Sequence, residues 1–170
     1  MNNEDAMSIL KNHDKADIEE VFLEGKHQAF LENTGDRILC VSHGILGGAT
    51  DNFLMPETYP FAKWVRENRK DININVEEGQ GIKDLRSGDF WMPLVLLASD
   101  VTVQMYVNLV SNYIYDMARG ALKHDVKTVH LEALYKDEET KKTKKFSYSG
   151  SVEGLEKAMK KFDLNKFLKS

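Results

Sequence analysis

Apolar and polar positions separate this chain into segments of different period. Ile72-Asn73-Ile74-Asn75-Val76 alternates strictly, which predicts a half-buried strand. Trp91 to Ala98 is a continuous apolar run, as expected for a central strand covered on both faces; Pro93 sits near its start, where a missing donor is tolerable. Val103, Tyr106, Val107, Val110, Tyr113, Ile114, Met117 and Ala121 then recur at helical spacing. They predict a long helix over 100–122, with Ser99 or Asp100 as its cap. Val129 to Tyr135 reads as a strand, the charged stretch from Lys136 to Lys145 as a turn, and Phe146 to Ser149 as the returning hairpin partner. Ser151 can cap a final helix that carries Leu155, Ala158, Met159 and Phe162 on one face, with Leu164, Phe167 and Leu168 beyond.

The first half is patterned less clearly. Residues 4–11 predict a short helix. Between 17 and 42, three apolar clusters (Val21 to Leu23, Ala29 to Leu31, Ile38 to Val41) favour a β-meander. Asn33-Thr34-Gly35-Asp36 supplies hairpin chemistry between the last two, because Gly35 tolerates positive φ. His43 to Thr58 reads as a glycine-rich loop. Pro60 suits the first turn of a helix whose apolar face is Phe61, Trp64 and Val65. Glu77 to Asp89, with three glycines, reads as a second loop.

From residue 72 the expected order is strand, strand, long helix, strand, strand, helix. A tight hairpin in one place and a helical crossover in another imply a mixed sheet. The predicted fold is α+β: a single-domain mixed β-sheet sandwich with helices packed on it, a long central helix 100–122 and a C-terminal strand-hairpin-helix unit. No repeat of 20–50 residues and no linker divides the chain, so residues 1–170 are expected to form one domain, with segment 1–16 more loosely packed.

Composition agrees with a globular domain. The 170 residues are 42% hydrophobic and 29% charged, so disorder is excluded. A single cysteine rules out an internal disulfide, and the acidic start Met1-Asn2-Asn3-Glu4-Asp5 lacks the basic-then-apolar form of an export signal, so a cytoplasmic location is expected. The apolar stretch Trp91 to Val110 is broken by Pro93, Asp100, Gln104 and Asn108, which argues against a membrane span. Net charge is −4 but unevenly placed: residues 1–122 carry −8 and residues 123–170 carry +4. Lys141, Lys142, Lys144 and Lys145 are candidates for contact with a phosphate backbone. Asp137, Glu138 and Glu139 precede them and offset part of that charge.

The densest candidate chemistry lies in Cys40-Val41-Ser42-His43-Gly44-Ile45-Leu46-Gly47-Gly48. Over these nine residues the segment resembles the oxyanion-hole turn of α/β-hydrolases, in which glycines let backbone N–H groups face a developing oxyanion. The Gly-x-Ser-x-Gly elbow of that fold is missing; Ser147-Tyr148-Ser149-Gly150-Ser151 lacks the flanking glycines. The segment also offers Cys40, His43 and Asp51 as nucleophile, base and orienter, although a spacing of three along a strand sets Cys40 and His43 on opposite faces. Gly47, Gly48, Glu77 and Glu78 form a candidate ligand or partner loop, with Glu77, Glu78 and Asp89 as further acids. His130 and Glu132 share one strand face, where they suit a pair of ligands or a cross-strand link to Lys144. Glu24-Gly25-Lys26 has the acid-x-lysine form of some metal-dependent nucleases, but no upstream Asp is well placed. No zinc-ligand spacing, phosphate loop or dinucleotide fingerprint is present, so no metal or cofactor is expected.

These readings rank three functions. The first is a non-catalytic cytoplasmic interaction or regulatory module that binds a protein partner or a small ligand. Self-association is expected from the nearly all-round apolar 100–122 helix. The second is a small hydrolase using the 40–51 loop. The third is a nucleic-acid accessory protein using the Lys-rich C-terminal third.

Overall fold

The computed structural model describes residues 14–47, 52–78, 80–83, 89–117 and 128–169, with side chains to residue 160. The expected helix over 4–11, Gly48, Asp51 and the 118–122 end of the long helix lie outside these residues. Strands β1 (Lys15–Glu20), β2 (Arg37–Val41), β4 (Asn73–Val76), β6 (Phe90–Leu97), β7 (Val129–Lys136) and β8 (Thr143–Gly150) form one six-stranded sheet, in the order β1-β8-β7-β6-β2-β4. The pairs β6–β7 and β2–β4 are parallel, and the others antiparallel. The two-residue strands β3 (Phe53–Leu54) and β5 (Gly81–Ile82) pair separately. Among the described residues four α-helices join the sheets: α1 (Gly25–Glu32), α2 (Thr58–Asn68), α3 (Val103–Met117) and α4 (Val152–Lys169). The α+β class read from the sequence is the class observed.

Alternation along the strands separates the two sheet faces. Ile38, Cys40, Ile74, Val95, Leu97, Leu131, Ala133, Phe146 and Tyr148 point into the main core. They meet Phe61, Trp64 and Val65 of α2, Tyr106, Val107, Val110, Tyr113 and Ile114 of α3, and Leu155, Ala158 and Met159 of α4. Edge-to-face rings lock α2 against α3: Phe61 lies 5.3 Å from Tyr113 and 6.0 Å from Tyr106 between centroids. On the opposite face, Leu39, Val41, Leu94, Leu96 and Leu134 pack under Phe30 and Leu31 of α1.

Helix α1 corrects the expected meander. Lys26, Gln28, Ala29, Leu31 and Glu32 are good helix formers, and eight residues are too few for periodicity to separate a helix from a strand. Asn33 to Asp36 is accordingly a helix-to-strand turn and not a hairpin, with Gly35 at φ +131°. Strand β1 does not pair with its sequence neighbours. It crosses the molecule to β8, where Glu19 meets Lys145 (2.9 Å) and Glu20 meets Lys142 (3.5 Å).

Other boundaries move for local reasons. Helix α3 begins at Val103, and the Oγ1 of Thr102 accepts the Met105 N–H at 3.0 Å, so Thr102 is the cap in place of Ser99 or Asp100. The Ser99 hydroxyl instead donates to the Asn33 carbonyl at 3.1 Å. Met117, expected on the buried face, is half exposed, as is Tyr115. Pro93 coincides with a register shift between Trp91 and Leu94, a bulge that absorbs its missing donor. The two expected loops contain a 3-10 turn at His43–Leu46 and strands β3 and β5. Ser151 does cap α4, accepting the Gly154 N–H at 3.0 Å.

Candidate functional site

The second sheet face is only half covered by α1. Beyond it, His130 and Glu132 project side by side from β7, and Ser147 and Ser149 from β8, because residues two apart share a face. Register sets His130 opposite Ser149 and Glu132 opposite Ser147. These four side chains form the polar floor of a cleft of about 270 Å³. Phe53 and Met55, with Trp91 of β6, give it an apolar wall; Lys83 after β5 and His43 of the 3-10 turn add basic groups at its sides. The volume lies near the lower end of small-molecule pockets, which run from roughly 300 Å³ upward.

Two imidazole–carboxylate pairs present a histidine to the cleft. His43 Nε2 lies 3.2 Å from Glu132, and Lys145 approaches the same carboxylate at 3.8 Å. Burial pushes the Glu132 carboxyl up, but the hydrogen bond and charge of His43, followed by Lys145, outweigh it and hold the group below its ordinary range. The second pair is His130 with Asp89, Nε2 to Oδ2 at 3.0 Å, and the other ring nitrogen of His130 lies 2.8 Å from Ser149 Oγ. A carboxylate only accepts, so the Nε2 of His130 carries a proton, and in the neutral ring Nδ1 accepts from the serine hydroxyl. Trp91 stacks on the His130 ring, with centroids 3.7 Å apart and planes at 11°. Asp89 is itself held by the Thr128 N–H at 3.3 Å. Ser149, His130 and Asp89 therefore form a chain of hydrogen bonds whose central ring is fixed in position and tautomer.

The residues singled out from sequence fall in several places. Cys40 is fully buried on the main-core face, and burial pushes its thiol up to about 12, with Arg66 opposing more weakly. His43 lies past the end of β2 on the other face, paired with Glu132, so the structure does not bring Cys40 and His43 together. Gly47 ends the 3-10 turn at φ +102°, a conformation that favours glycine. Glu77 faces α1, 2.8 Å from His27 and 4.0 Å from Lys26, and not the cleft. Glu78 does not line the cleft. The four hairpin lysines are engaged with carboxylates: Lys141 with Glu138, Lys142 with Glu20, Lys144 with Asp137 at 2.6 Å, and Lys145 with Glu19 and Glu132. The cross-strand partner of Glu132 is thus Lys145 and not Lys144. Among the described residues no three His, Cys, Asp or Glu side chains converge as a metal site.

In its local sequence Ser149 lacks the flanking glycines of a nucleophile elbow. The signal that would have found it is register: pairing β7 with β8 around the 137–142 turn aligns Ser149 with His130. Asp89 is one of the acids singled out from the 77–89 loop, but its contact with His130, made from the residue before β6, had no local signal.

The chain matches no family model, no curated protein and no solved structure. Among the described residues no helix is long and apolar enough to cross a membrane.

Proposed function

We propose that the protein is a binding module of regulatory type that takes a small ligand in the cleft over β7 and β8. The observation that carries this reading is the composition of the cleft. An apolar wall (Phe53, Met55, Trp91) stands over a floor of two hydroxyls, an imidazole and a carboxylate, the pairing by which pockets bury one end of a ligand and orient the other. Lys83 and the two histidines favour a ligand with an anionic or hydrogen-bond-accepting end. The single buried thiol accords with a cytoplasmic setting. Half-exposed Tyr115 and Met117 near the end of α3 support self-association as a further property. A nucleic-acid role has less support, because a phosphate backbone would have to displace the carboxylates that already hold Lys141, Lys142, Lys144 and Lys145.

The test uses 8-anilino-1-naphthalenesulfonate, an aromatic probe with an anionic end. Saturable binding with quenching of tryptophan emission is expected. Ser147→Trp, which fills the cleft, should abolish it while leaving the thermal unfolding midpoint within a few degrees. Undiminished binding to a folded Ser147→Trp variant would overturn the assignment of the cleft.

A further inference from the structure

We infer that the cleft is also a reaction site, in which Ser149 is an acyl-accepting nucleophile, His130 its general base and Asp89 the positioning residue of that base. This inference rests on the cleft being the ligand site and goes beyond binding.

Three observations carry it. The nucleophile and the base are within hydrogen-bond reach, at 2.8 Å, and the base and its orienter at 3.0 Å. The Asp89 carboxylate fixes the one tautomer that leaves Nδ1 free to take the serine proton, and the Trp91 ring prevents the imidazole from turning away. Ser149 and His130 both line the cleft, so a substrate held there lies against the reacting atoms. The arrangement is recognised by geometry and not by position in the chain: the serine stands on a strand, and the ring nitrogens exchange the roles they play in familiar serine hydrolases.

The apolar wall and the modest volume select a carboxylic ester with a short acyl or aromatic group. Ser149 Oγ bonds to the ester carbonyl carbon and its proton passes to His130 Nδ1. The bond from that carbon to the alkoxy oxygen breaks, and the departing alcohol takes the proton from His130. Water then attacks the acyl-serine, its proton passes to Nδ1 and on to Ser149 Oγ, and the carboxylic acid leaves. The balance is ester plus water giving acid plus alcohol. Lys83, on the cleft wall, supplies positive charge for the developing oxyanion.

The experiment combines a fluorophosphonate probe, read by intact mass and peptide mapping, with p-nitrophenyl butyrate hydrolysis. Single labelling at Ser149 is expected, with none in Ser149→Ala. His130→Ala should lower kcat by about 100-fold or more, and Asp89→Asn should lower kcat while leaving KM unchanged, which a merely structural role would not do. Circular dichroism and binding of the anilinonaphthalenesulfonate probe establish that each variant is folded with its cleft intact. Labelling at another residue, or no labelling and no hydrolysis above buffer in protein that still binds the naphthalene probe, would overturn the catalytic role and leave the binding function standing. Loss of both would remove both.

Discussion

Gly154→Ala isolates the junction that ties the start of the described chain to the last helix. In an ordinary helix interior this change stabilises by about 1 kcal/mol. Here the added Cβ would fall 2.6 Å from the Asp14 carboxyl carbon and closer still to an Asp14 oxygen and the Tyr148 hydroxyl. Neither neighbour can swing away without loss. Asp14 is 7% exposed and accepts the Ser151 N–H at 2.9 Å, and Tyr148 is 2% exposed and donates to the Ser151 carbonyl at 2.6 Å. Displacing the carboxylate sacrifices a charge-assisted hydrogen bond, about 2 kcal/mol, and the overpacking adds about 1–2 kcal/mol. Set against the helix gain, the net is a loss of roughly 2–3 kcal/mol. Urea denaturation followed by circular dichroism measures it. In an Asp14→Ala, Tyr148→Phe background the obstruction is gone, and the same substitution should become neutral or stabilising. If Gly154→Ala stabilises the otherwise unaltered protein, or costs the same in both backgrounds, the contact has no energetic role and the reasoning fails.

Three further outcomes are expected. Cys40, fully buried with its thiol pushed up to about 12, should resist alkylation between pH 7 and 9 until denaturant is added; rapid labelling of native protein would contradict its burial. Glu132 titrates lower folded than unfolded, so its stabilisation is present above its ordinary value near 4.5 and is lost as pH falls through the lower folded value. Glu132→Gln should therefore flatten the acid side of the stability curve, and an unchanged slope below pH 4.5 would refute the pairing with His43 and Lys145. Thr102→Ala should cost about 1 kcal/mol in chemical denaturation as the loss of a helix cap. Asp100→Ala should cost markedly less; the reverse order would return the cap to the position expected from sequence.

What could be read from the sequence, and what could not, follows from the range of the interactions involved. β4, β6, α3 and the β7–β8 hairpin were legible because each buries enough residues on one face to impose a period: Ile72 to Val76 alternates, and Tyr106, Val107, Val110, Tyr113 and Ile114 recur by three and four. α1 buries only Leu31 fully, so its amphipathicity was too weak to register. The pairing of β1 depends on Lys142 and Lys145, far along the chain, and local propensity carries no information about such partners. The site divides in the same way. That His130 and Glu132 share a face followed from strand alternation, and both line the cleft. That Asp89 and Ser149 join them depends on sheet order and register, which one sequence does not display. Cys40 drew attention by residue type, yet its place in the β2 run was already that of a small buried hydrophobe.

The strand order also sets a timetable for synthesis. β1 leaves the ribosome about 130 residues before its partner β8, as the pairing of Lys15 with Ser149 requires. Closing so long a loop costs roughly 4 kcal/mol in chain entropy, and during the wait an unpaired strand is open to the wrong neighbour. Its sequence, Lys-Ala-Asp-Ile-Glu-Glu, answers that hazard with three acids and a lysine in six positions, a composition that discourages pairing with other exposed edges. The lysines of β8 and the preceding turn supply the opposite charge when they arrive. The uneven charge along the chain thus acts as a delayed key, disfavouring other partners for β1 until the basic edge of β8 has been made.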